Sequence, residues 1–111
     1  MTNAIVKFII EDARPRETEV LLGVDRSGDE VLSPSESVVL IRQKGGGSTV
    51  LWTGDFEIDN EFPTGAFYKF AFSAPKGATW HYEIKLGDLL LAKQERTKMT
   101  RKFDLAWGTL G

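Results

Sequence analysis

"GAFYKFAFSAPKGATW", residues 65–80, holds five aromatic side chains and two lysines in sixteen positions. Its period decides the fold. Tyr68, Phe70 and Phe72 alternate with Phe67, Lys69 and Ala71, the two-residue repeat of a β-strand with one apolar face. The first set is expected in a core, and Lys69 is expected outside with Phe67 and Ala71. "APKG" then reads as a turn. "TWHYEI" resumes the alternation, with Trp80, Tyr82 and Ile84 on one side and His81 and Glu83 on the other.

The same period extends in both directions. "AIVKFIIED" puts Ala4, Val6, Phe8 and Ile10 on one face, and "TEVLLGVD" does so with Val20, Leu22 and Val24. "SVVLIRQ" at 37–43 is a short β-branched run closed by "KGGGS", whose glycines favour a loop. "TVLWTGDFEID" alternates Val50, Trp52, Gly54, Phe56 and Ile58 with Leu51, Thr53, Asp55 and Glu57, so Trp52 is expected inside. The chain closes with "DLLLA" and "RKFDLAW", where Phe103, Leu105 and Trp107 share a face. About eight short strands, turn signals between them and no long amphipathic helix predict an all-β fold. The expected architecture is an immunoglobulin-like antiparallel β-sandwich of about 7–8 strands, one domain over residues 1–111.

Composition removes whole classes of function. The chain has 111 residues, 41% hydrophobic and 27% charged, which suits one globular domain. Fourteen basic residues against sixteen acidic ones give a net charge of −2. That balance offers no bulk attraction to nucleic acid or an anionic membrane, and neither partner is expected. The lack of cysteine rules out disulfides and thiolate sites. The opening apolar run has no basic leader and is broken by Lys7, so it reads as a first strand and a cytoplasmic location is expected.

Catalytic constellations are sparse. The single histidine, His81, cannot build a two-histidine metal site, and neither a metal nor a cofactor is expected. Asp55, Glu57, Asp59 and Glu61 stand two residues apart, which describes the solvated face of one strand better than an acid–base pair. "GGG" at 45–47 lacks the Lys-Ser and helix of a phosphate cradle. The basic stretch "KQERTKMTRK" is expected as a solvated hairpin between the last two strands, with an acidic partner as its other use. No enzyme is predicted.

The ordered set "VLWTGDFEI", "GAFYKFAF" and "ATWHYE" resembles the family 20 starch-binding carbohydrate-binding modules. In that family a Leu-Trp strand precedes a Tyr-Lys-Phe strand and then a Trp-Glu strand. The matching residues here are Leu51 and Trp52, then Tyr68, Lys69 and Phe70, then Trp80, with His81 at the family's Glu position. "VKFIIEDARPRETEVLLGVD" is similar to the family's first two strands. The resemblance, spanning residues 4–85, implies a non-catalytic module for a starch- or glycogen-type glucan, with Lys69 and Trp80 at the sugar. His81 and Glu83, along the same strand as Trp80, complete the candidate ligand set. "RSGDEVLS" and "EIKLGD" stand where the family has a loop tryptophan and an Asn-Arg pair, so weak binding is expected. Parity sets Trp80 with Tyr82 and Ile84, a core pattern, whereas the resemblance implies an exposed indole. The alternative on the same sandwich is a protein-interaction or assembly subunit without sugar binding.

Overall fold

In the computed structural model, which describes residues 2–43 and 47–111, the chain forms two antiparallel sheets packed face to face. Nine strands occur among the described residues: β1 (Thr2–Glu11), β2 (Glu19–Val24), β3 (Ser37–Val38), β4 (Ile41–Arg42), β5 (Thr49–Ile58), β6 (Phe67–Ser73), β7 (Thr79–Leu86), β8 (Leu89–Lys98) and β9 (Phe103–Thr109). One sheet runs β4-β5-β1-β7-β8 and the other β3-β2-β6-β9. The all-β sandwich expected from the alternation is thus the fold.

The inner faces are those the period-two reading selects. Ala4, Val6, Phe8 and Ile10 are wholly buried on the central strand of the larger sheet, and Tyr68, Phe70 and Phe72 face them from β6. Phe8 is the hub, its ring 5.0 Å from Phe70, 4.8 Å from Phe72 and 5.8 Å from both Trp80 and Tyr82. Offset and tilted contacts of this kind add to the gain from area burial. The two tyrosines bring their only polar atoms together, Tyr68 Oη to Tyr82 Oη at 2.7 Å. Burial in this layer raises both phenol pKa values.

Two local expectations are corrected. "SVVLIRQ" is not one strand. Ser37–Val38 pairs with β2, Ile41–Arg42 pairs with β5, and Val39–Leu40 carries the chain from one sheet to the other. The crossing passes so close to β5 that a Cβ on Gly54 would lie 2.5 Å from the Val39 carbonyl oxygen, which explains a glycine inside a long strand. The basic stretch is also not a hairpin. Lys93 to Lys98 belong to β8, an edge strand with exposed charges, and residues 99–102 join the two sheets rather than neighbours in one. Of the "GGG" loop, residues 45 and 46 lie outside the described residues, and Gly47 sits in a turn at φ +76°. No helix among the described residues is long and apolar enough to cross a membrane.

Candidate functional site

Lys69 lies where alternation placed it, half-buried on the outer face of the four-stranded sheet. Its cross-strand partners are Gly23 on β2 and Trp107 on β9. Ala66 and Ala74 bond to Leu110 and Lys102 at the two ends of the β6–β9 ladder, so the Lys69–Trp107 pair is of the non-hydrogen-bonded type, whose side chains approach most closely. Trp107 is 63% exposed. An indole that open beside a lysine is a flat apolar surface next to a hydrogen-bond donor.

Further rows extend this face. Leu21, Ala71 and Leu105 form the next row, then Glu19, Ser73 and Phe103, with Leu21 60% and Phe103 54% exposed. On the β2 side the face dips into a depression of about 260 Å³ between Lys69, Gly23 and the Leu32–Pro34 segment. Its side wall depends on Gly23, where an added Cβ would stand 3.1 Å from Leu32 Cδ1.

Trp80 is not part of this surface. It is 5% exposed and points inward from β7, 4.7 Å from Phe72 ring to ring, with its indole N–H unpartnered among the described residues. It packs the core and cannot offer a stacking face. His81 and Glu83 point outward from the same strand, on the far side of the sandwich from Lys69. The four expected site residues therefore occupy three layers and do not converge.

On that far side His81 is half-buried, its Nδ1 3.8 Å from Glu11 Oε1, which Arg96 approaches at 3.1 Å. The register of β7 against β8 shifts here, and the bulge sets Glu95 and Arg96 opposite His81. Lys7, Glu83, Lys93 and Glu95 surround a shallow depression of about 240 Å³ beside it. Charges of both signs alternate across it. Asp55 and Glu57 lie on the solvated face of β5 as expected, but Asp59 and Glu61 fall in the turn after it, where Asp59 Oδ1 accepts the Glu61 N–H.

The loop that edges the Lys69 depression is organised by two buried carboxylates. Asp25 accepts the Gly28 and Glu30 N–H groups and the Ser27 hydroxyl. Glu36 accepts the N–H groups of Arg26, Ser27 and Ser33. Those donors, the Ser33 N–H foremost, hold the Glu36 carboxyl at about 2, far below the usual carboxylate range. Asp25, Asp29 and Glu36 bring oxygens within 4.8 Å of one another, and backbone donors already occupy them. The cluster serves as the scaffold of "RSGDEVLS".

Sequence reasoning missed Trp107. Its face was legible, since Phe103, Leu105 and Trp107 share parity, but an apolar face is ordinarily assigned inward. Here Ala106 and Gly108 take the inner side, because Tyr68 already fills the space: a Cβ on Gly108 would stand 2.9 Å from Tyr68 Oη. The small residues between the large ones were the available signal.

Compared with protein-family models, curated proteins and solved structures, the chain matches none.

Proposed function

We propose that the protein is a non-catalytic binding module, and that the outer face of the four-stranded sheet, centred on Lys69 and Trp107, holds a starch- or glycogen-type glucan weakly. The observation that carries this reading is the direct cross-strand pairing of a half-buried lysine with a 63% exposed tryptophan. A glucose ring presents an apolar CH face to the indole and hydroxyls to the ammonium. Trp107 takes the stacking part that the sequence resemblance gave to Trp80, and Lys69 keeps its own. One platform without a second tryptophan accounts for weak affinity, since few groups hold each sugar.

The test is migration through a native gel containing glycogen or amylose. Wild-type protein is retarded, Trp107→Ala and Lys69→Ala migrate as in a plain gel, and Glu83→Ala, on the far face, is retarded like wild type. Unretarded wild-type protein overturns the glucan reading.

A protein partner on the same face is the second reading. It is favoured by Leu21, Phe103 and Leu105, whose aliphatic and aromatic surface offers sugar hydroxyls nothing but suits a protein interface. In that case Leu21→Lys abolishes capture of the partner, while glucan gels show no retardation for any variant.

A further inference from the structure

Four strands edge the two sheets, and they are protected very unequally. Exposed edges recruit other strands, and proteins blunt them by shortness, by charge or by bulges. β3 and β4 are two residues long. β8 is long, but its register against β7 breaks twice and it carries Lys93, Glu95, Arg96 and Lys98. β9 has neither shortness nor a bulge: it pairs with β6 over seven residues without a shift, contains no proline and no basic residue, and its one charge, Asp104, is half-buried with its carboxylate on the Leu105 N–H.

The unpaired side of β9 can be read atom by atom. Because the hydrogen-bonded pairs with β6 fall on its even-numbered residues, the N–H and C=O groups of Phe103, Leu105, Trp107 and Thr109 project to the free edge. The Leu105 N–H is taken by the Asp104 carboxylate at 2.8 Å. Among the described residues nothing else satisfies this edge.

We propose that a second copy of this chain adds its β9 antiparallel to this edge, with a two-fold axis at Trp107, joining the two four-stranded sheets into one of eight strands. In that register the Trp107 N–H and C=O of each copy bond to those of the other. The Thr109 N–H of each copy meets the Leu105 C=O of the other, so four bonds form without disturbing Asp104. An axis at Leu105 instead loses both central bonds to Asp104, which selects the first register. The edge is self-complementary in side chains as well: Trp107 lies beside its own copy, Leu105 faces Thr109, and Arg101 and Lys102 fall beyond the end of the opposing strand. The Gly111 N–H, two residues past β9, donates to Leu91 on β8, so the open edge runs from Phe103 to Thr109. An isologous contact closes on itself, and only the two-residue β3 remains at either end of the eight-stranded sheet. The dimer also sets two Lys69–Trp107 platforms side by side, but its formation does not depend on what they bind.

Sedimentation of the full chain from low micromolar to millimolar concentration tests this. The mass is expected to double from 12.4 kDa as concentration rises, with the Trp107 and Thr109 amides gaining protection from hydrogen exchange in step. Trp107→Lys, which changes an exposed side chain, and Thr109→Pro, which deletes one bonding N–H per copy, are both expected to stay monomeric. A wild type that remains monomeric throughout overturns the proposal. So does a dimer that leaves those two amides exchanging freely, or an assembly that persists in folded Trp107→Lys.

Discussion

Lys69 and Trp107 stand opposite each other on the outer face of the smaller sheet, while Trp80 lies in the core beneath. The two tryptophans therefore respond oppositely to truncation. Trp80→Ala is expected to cost about 3–5 kcal/mol, because it opens a cavity beside Phe8 and Phe72. Trp107→Ala is expected to leave stability within about 0.5 kcal/mol, as for other surface positions. Urea unfolding of the two variants checks the contrast, and comparable losses would place Trp107 in the packing.

The Tyr68–Tyr82 bond supports a non-additive prediction. Tyr82→Phe strands the Tyr68 hydroxyl in the core, at a cost of about 1–3 kcal/mol. The double variant with Tyr68→Phe leaves no orphaned hydroxyl, so its loss is expected to be smaller than that of Tyr82→Phe alone. A double-mutant cycle measured by denaturation decides this.

At Gly54 the obstacle to a side chain is backbone, not a movable rotamer. Gly54→Ala drives a methyl against the Val39 carbonyl and Leu40, and a loss of about 1–3 kcal/mol is expected from the forced shift of the crossing. The fall in the midpoint of thermal unfolding, compared with Gly23→Ala, where the neighbour at 3.1 Å is the movable tip of the Leu32 side chain, separates a clash with backbone from one that a rotamer can relieve.

Acid sensitivity follows from Glu36. Its folded pKa of about 2 lies below the ordinary 4.5, so the folded state favours the carboxylate. The stabilisation is complete above pH 4.5 and is lost as pH falls through about 2. Unfolding curves between these limits should flatten in their pH dependence for Glu36→Gln, which keeps the shape of the side chain and removes its titration.

Most of the fold was legible in the sequence because burial and period coincide. In β1, β2, β6 and β7 the apolar set that alternates along the chain is the set the sandwich buries, so parity alone assigned Phe8, Phe70 and Tyr82; in β5 Val50 and Phe56 follow it, while Trp52 and Ile58 are half-buried. The failures came where an element serves two sheets. "SVVLIRQ" has the composition of one strand, but its halves bond to different neighbours, and hydrogen-bond partners are not written in a local pattern. "KQERTK" looks like a loop because an edge strand with solvent on its outer face can be as polar as a turn.

The candidate site shows the same division. Alternation alone fixed Tyr68, Phe70 and Phe72 inside and Lys69 outside, and it also grouped Trp80 with the core tyrosine and isoleucine. What it could not fix is which strand lies beside Lys69. That depends on the pairing of residues nearly forty positions apart, and only the assembled sheet brings Trp107 across from the lysine. Nor could it decide which face of β9 is buried: Tyr68 occupies the interior at Gly108, and this turns the large side chains of "RKFDLAW" to the solvent.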